Sequence, residues 1–117
     1  MSGTSGDGVD ASIINSDGKG QFKVLLKKYF EYTDDISENI YKLKRKINKV
    51  ENIKKYFSEV NNLERKITLF HSNVVSNFTT INDFEIDLVG FHGQTILHSP
   101  KDKYSKQLGD GKLLSQL

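Results

Sequence analysis

Three glycines, three hydroxyl side chains beside them and two carboxylates crowd into the first ten residues, Met1-Ser2-Gly3-Thr4-Ser5-Gly6-Asp7-Gly8-Val9-Asp10. Glycine lets backbone N–H groups turn toward one anion with no Cβ in the way. Thr4 and Ser5 add hydroxyl donors, and Asp7 with Asp10 suits a hydrated Mg²⁺. That is the chemistry of a phosphate-binding turn. No Gly-Lys-Ser/Thr follows, so it is not a Walker A loop. Gly6-Asp7-Gly8-Val9-Asp10-Ala11 satisfies the pattern G-x-G-x-x-G/A, but that fingerprint needs a strand before it and a helix after it. A short β-prone run follows instead, and on composition alone an unstructured N-terminus reads equally well.

A second cluster, His92-Gly93-Gln94-Thr95, ends the apolar run Ile86-Asp87-Leu88-Val89-Gly90-Phe91. Such a run suits a central strand covered on both faces, and open α/β sheets place ligands beyond the carboxyl ends of their strands. His92 there either hydrogen-bonds a polar ligand or serves the structure. His71, His92 and His98 have no metal-ligand spacing, and no Gly-x-Ser-x-Gly elbow occurs. The chain has no cysteine, which excludes a disulfide framework, a thiolate metal site and a Cys nucleophile.

The elements that hold these clusters can be read by period. The chain has 117 residues, 36% of them hydrophobic, with a mean hydropathy of −0.52. That is one domain's worth of polar, foldable sequence. Ala11–Ser16 is β-prone, Asp17-Gly18-Lys19-Gly20 signals a turn, and from Phe22 the pattern alternates. Phe22, Val24, Leu26, Phe30 and Tyr32 fall on one side, with Lys23, Lys27 and Glu31 on the other. Residues 11–32 therefore predict an antiparallel hairpin.

Thr33-Asp34-Asp35 offers N-caps for a helical zone over 35–80. Ile36, Ile40, Leu43, Ile47 and Val50 make one stripe. Ile53, Phe57, Val60, Leu63, Ile67, Phe70 and Val74 continue it after an irregular step near Glu51-Asn52. Two long helices on a sheet are expected, since neither Pro nor Gly occurs from Lys23 to Val89. The alternative is a non-catalytic module in which this helical hairpin mediates self-association. Ser99-Pro100 opens a loop, and Lys112–Leu117 reads as the first turns of a helix at which the chain stops.

The net charge of +2 gives no reason for a polyanionic partner. Lys42, Lys44, Arg45, Lys46, Lys49, Lys54, Lys55, Arg65 and Lys66 do outnumber Glu51, Glu59 and Glu64 locally. Without interleaved exposed aromatics that stretch reads as a solvated face and not as a nucleic-acid surface. No apolar run approaches the ~18 residues of a membrane span, and with no basic stretch followed by an apolar one at the N-terminus no signal peptide is expected. A cytoplasmic protein with no membrane partner is expected.

Taken together, Met1–Ala11, Gly90-Phe91-His92-Gly93-Gln94-Thr95 with His98 and Pro100, and Gln107-Leu108-Gly109-Asp110-Gly111 resemble the anhydro-N-acetylmuramic acid kinases. The resemblance implies an α/β fold: part of an RNase H-like (actin-like ATPase) domain with an N-terminal β-hairpin, long helices and a central parallel strand over 86–98. It implies an ATP- and Mg²⁺-dependent conversion of 1,6-anhydro-N-acetylmuramic acid to N-acetylmuramic acid 6-phosphate, in peptidoglycan recycling. By resemblance Gly3, Thr4, Ser5, Gly6, Asp7, Gly8, Val9 and Asp10 wrap the ATP phosphates, with Asp7 and Asp10 on the metal. His92, Gly93, Gln94 and Thr95 line the sugar side. Two departures follow. Gly6 stands where the family has a larger residue, and the family's general-base Asp and second domain have no counterpart. No catalytic residue is therefore assigned, and the chain alone is expected to be inert unless a C-terminal kinase fragment joins it in trans.

Overall fold

The computed structural model describes residues 6–82 and 85–117. It is an α/β structure that begins, as expected, with an antiparallel hairpin. Strand β1 (Gly8–Ser16) pairs with β2 (Phe22–Glu31), from Gly8 opposite Glu31 to Ser16 opposite Phe22. The turn is built by Asp17, whose Oδ1 accepts from the backbone N–H groups of Lys19 (2.7 Å) and Gln21 (3.3 Å). Between Ile13 and Ile14 the register shifts by one residue. Leu25 is the extra residue, and the bulge interrupts the alternation read from sequence. Val24 therefore faces Ile14, and both are about half exposed, as is Phe22 beyond them. The inward face carries Val9, Ala11 and Ile13 opposite Phe30, Lys28 and Leu26.

Helix α1 (Asp34–Lys46) starts where the capping chemistry put it. Thr33 Oγ1 accepts from the N–H of Ile36, Asp34 and Asp35 occupy the positive first turn, and Lys44, Arg45 and Lys46 the negative last one. A short helix α2 (Val50–Lys55) and a 26-residue helix α3 (Phe57–Asn82) follow. The break that needs neither Pro nor Gly is made by Asn52. Its side-chain oxygen accepts from the N–H groups of Lys49 (3.0 Å) and Asn48 (3.3 Å), diverting them from the helical ladder.

Ile36, Ile40, Leu43 and Ile47 pack against Val60, Leu63, Ile67 and Val74 in one core with Val9 and Tyr32. Phe78 takes Phe30 edge-on at 5.8 Å, and Phe70 takes Tyr32 at 5.0 Å. Ile40 and Ile47 lie wholly inside the chain's own core. Phe57 is the exposed member of the stripe.

Strand β3 (Gln94–Ser99) pairs with β4 (Tyr104–Leu108), and α4 (Gly111–Gln116) closes the described structure. The expectation of a central parallel strand over 86–98 is corrected here. The 86–91 run is not a strand, and β3 begins only at Gln94, antiparallel to β4. A strand needs a hydrogen-bonding neighbour, and none of the described strands pairs with this run. Leu88 is accordingly 88% exposed. Among the described residues no helix is long and apolar enough to cross a membrane.

Replacing Asn52 by Ala removes the acceptor that defines the α1–α2 break. The expected outcome is a loss of about 1 kcal/mol of stability, with faster amide exchange at Asn48 and Lys49 than in the native chain, read by NMR hydrogen exchange.

Candidate functional site

The glycine-rich turn leads directly into β1, and each of its described residues is held from a different side. Gly6 has φ +75°. Its carbonyl accepts the Ser37 hydroxyl at 3.1 Å, and a Cβ there would lie 3.1 Å from Ile40 Cγ2. The left-handed backbone and the close helix together favour glycine at this position. Asp7 accepts the N–H of Tyr32 on its carbonyl (2.9 Å) and the hydroxyl of Tyr41 on Oδ1 (3.0 Å). At Gly8 a Cβ would collide with the carbonyl oxygen of Phe30 and stand 2.6 Å from Tyr29 Oη. A side chain at Gly8 would therefore disrupt strand and ring packing.

The turn is shorter than the sequence suggested. Gly8, Val9 and Asp10 already belong to β1. Val9 is buried in the core, so its side chain is a packing group and not a nucleotide contact. Asp10 is exposed opposite Tyr29. Partial burial and then the charges of Asp7, Glu31 and Asp10 raise the Tyr29 phenol above its ordinary value. Asp7 and Asp10 therefore both bear electrostatically on one phenol. Gly3, Thr4 and Ser5 lie outside the described residues.

The second cluster is built on glycine contacts. Gly93 has φ +81°, and a Cβ on it would overlap the Leu108 carbonyl oxygen. A Cβ on Gly109 would lie 2.7 Å from Phe91 Cζ and 3.1 Å from Gly93 Cα. The 91–95 and 107–111 segments thus pack backbone to backbone. Gln94 pairs with Leu108, and Thr95 with Gln107. Helix α3 anchors the far side, where Glu64 Oε2 accepts from the Gly109 N–H (3.1 Å) and Thr68 Oγ1 from the Asp110 N–H (3.0 Å). Asp110 Oδ1 in turn caps α4 at Leu113.

Gln94 departs from the expectation of a sugar-facing side chain. It is wholly enclosed, with Oε1 accepting from Tyr32 Oη at 3.5 Å and Nε2 donating to the Thr95 carbonyl at 3.3 Å. It braces the turn from within. His92 and Thr95 are partly exposed. Tyr32 connects the two clusters, its N–H on Asp7 and its hydroxyl on Gln94. A groove of about 580 Å³ between α3, the 87–91 run and α4 reaches Phe91, but Asp7 and His92 are not among its walls.

His71 is the chemical group the sequence reading passed over. Its Nδ1 lies 2.8 Å from the Ile67 carbonyl, which can only accept, so Nδ1 carries the proton. Burial lowers its pKa, against the Ile67 bond that raises it, and the nearby His92 lowers it further. The ring is neutral, and its buried Nε2 and the buried Nδ1 of His92 have no hydrogen-bond partner. The signal was present in the sequence. His71 continues the Val60, Leu63, Ile67 series at a spacing of four.

Across all 117 residues the chain matches the family model described as anhydro-N-acetylmuramic acid kinase. A protein of that name from Pelagibacter ubique is 50% identical over 117 residues, covering 100% of this chain and 31% of the relative. Those from Agrobacterium fabrum and Rhodopseudomonas palustris are 34% and 33% identical, each over 99% of this chain and 32% and 33% of their own length. The chain spans about a third of the curated relatives it matches.

Two outcomes test this geometry. Gly93→Ala should cost about 2–4 kcal/mol in urea unfolding because backbone must move. Gly18→Ala, at φ +73° with nothing within 4 Å, should cost only about 1–2 kcal/mol. For His71, the folded pKa lies below the ordinary 6.5, so between the two values the unfolded chain binds the extra proton. Stability from this group is present above pH 6.5 and is lost as pH falls through the folded pKa. As pH falls from about 7.5 to about 5 the native chain should therefore lose stability that His71→Phe keeps, so that, after the pH-independent offset between the two, their unfolding curves coincide near pH 7.5 and separate toward pH 5.

Proposed function

Because the chain belongs to the anhydro-N-acetylmuramic acid kinase family, we propose that it forms one wall of a kinase cleft. The enzyme so built is an ATP-dependent kinase that converts 1,6-anhydro-N-acetylmuramic acid to N-acetylmuramic acid 6-phosphate. The reading carries with it a cytoplasmic setting and a role in cell-wall recycling. The observation that supports it most directly is the placement of Tyr32. The glycine turn and the His92–Thr95 turn, one proposed for phosphate and one for sugar, are tied to two ends of the same buried residue.

When bound, ATP supplies the γ-phosphoryl group and Mg²⁺ neutralises the charge on it. The donor set suits that ion. Asp7 lies just before β1 and Asp10 within it, both exposed, and no cluster of three or more His, Cys, Asp or Glu occurs among the described residues. Mg²⁺ held by one or two carboxylates, with the rest of its shell water and phosphate, needs no larger cluster. The turn from Gly3 to Gly8 would offer backbone N–H groups to the phosphates. His92 and Thr95, with the backbone of Gly93, would orient the sugar, while Gln94 fixes their turn from behind. Phosphoryl transfer depends on positioning and on excluding water between two walls. This chain supplies one wall, so activity is expected only when polypeptide equivalent to the rest of the relatives' length is joined to it.

The test is reconstitution. This chain is mixed with a polypeptide spanning the remaining two-thirds of the Pelagibacter relative, and ADP release is followed with the anhydro-sugar and MgATP. Turnover by the mixture and not by either piece supports the reading; no turnover at any mixing ratio removes it. In the active mixture Asp7→Asn should lower kcat by about 100-fold or more, while the melting temperature moves by less than about 2 °C because Asp7 is exposed.

A further inference from the structure

The face of α1 that meets the glycine turn is polar where a packing face would be apolar. Ser37, Ile40, Tyr41 and Lys44 recur at spacings of three, one and three, which places them on one side of the helix. Ile40 fills the space beside Gly6. Its neighbours make two directed bonds to the turn: Ser37 Oγ donates to the Gly6 carbonyl at 3.1 Å, and Tyr41 Oη donates to Asp7 Oδ1 at 3.0 Å. Lys44, one turn further along, has its pKa lowered by burial, and the Asp7 charge opposes that shift. Bonds of this kind are not needed to keep α1 folded. Its N-cap, its charged ends and its buried Ile36, Ile40 and Leu43 already do that.

We propose that Ser37 and Tyr41 are positioning residues that clamp the glycine turn from α1, holding the Asp7 carboxylate by one oxygen so that the other serves a divalent cation. A carboxylate has two oxygens and about four acceptor directions. The Tyr41 hydroxyl uses one on Oδ1, which fixes the rotation of the group without consuming it. The Ser37 bond fixes the preceding peptide, whose left-handed conformation sets where Asp7 emerges. Without these two bonds Asp7 sits on an exposed stretch and samples several rotamers, and a cation must then order it on binding. The inference rests on the reading of Asp7 as a metal-side residue, and it assigns α1 a role in that reading.

Tyr41→Phe keeps the ring and removes only the hydroxyl, and Ser37→Ala removes the other bond. Mn²⁺, used as a paramagnetic stand-in for Mg²⁺, is titrated into the isotope-labelled chain, and broadening of the Asp7 and Asp10 amide signals is followed by NMR. The native chain should show broadening centred on these two residues. Each variant should need about three- to tenfold more Mn²⁺ for the same broadening, with its melting temperature close to the native value. In the reconstituted enzyme Tyr41→Phe should raise the Mg²⁺ concentration for half-maximal rate by a similar factor and leave the sugar KM unchanged. Native Mn²⁺ midpoints in both variants, or a Tyr41→Phe effect on the sugar KM alone, would overturn the clamp. Broadening that depends on Tyr41 in a mixture that never turns over would leave the clamp standing and remove the kinase reading.

Discussion

A buried tyrosine fixes where the two clusters of the candidate site sit relative to each other. Tyr32 follows directly on β2, with 4% of its surface exposed, and its backbone N–H closes on the Asp7 carbonyl as the ladder's last bond. Its ring lies edge-on to Phe70, with His71 at 6.5 Å, and its hydroxyl reaches Gln94. A buried phenol must find a polar partner or carry a desolvation cost of a few kcal/mol. The enclosed glutamine is that partner, and it is bound in turn to the next peptide. Moving either cluster alone would break this buried bond, which couples the positions of the two.

The second constraint is the contact of two glycine segments. Gly93 and Gly109 meet without side chains between them, which lets β3 and β4 pair immediately beyond and brings Asp110 onto Thr68. The geometry is held by α3, whose buried stripe is interrupted by Thr68 and His71. These polar residues sit where a purely structural helix would carry Leu or Ile. Thr68 serves the backbone of the neighbouring loop, and Glu64 one turn before it does the same for Gly109. The long helix therefore both completes the core and anchors the loop.

Much of this was legible from residue types and spacing. The hairpin, the Thr33 cap, the stripes of α1 and α3 and the helical start after Gly111 all follow from local rules that tertiary packing did not overrule. Three features were not legible for identifiable reasons. The bulge at Leu25 leaves no mark in an alternating pattern, because both phases of Phe22-Lys23-Val24-Leu25-Leu26 contain apolar residues. The irregular step near Glu51-Asn52 was visible, but the side chain that makes the break before α2 was not, because Asn is common throughout the chain. The 86–91 run has strand composition, yet a strand is a property of a pair. At the candidate site, the glycines and carboxylates could be read directly. The residues that hold them, Tyr32, Ser37 and Tyr41, could not, because they lie 25 to 34 positions away in sequence from the groups they bind.

The hairpin's outer surface has a further consequence. Beyond the bulge, Ile14, Phe22 and Val24 present oil to solvent at the tip of a two-stranded ribbon. A ribbon of two strands leaves amide and carbonyl groups along both margins without a ladder partner, and a greasy tip supplies the glue. Such a piece is a template for its own kind. Handled by itself at high concentration, this polypeptide will tend toward stacking and precipitation unless another strand or a solubilising companion occupies that border.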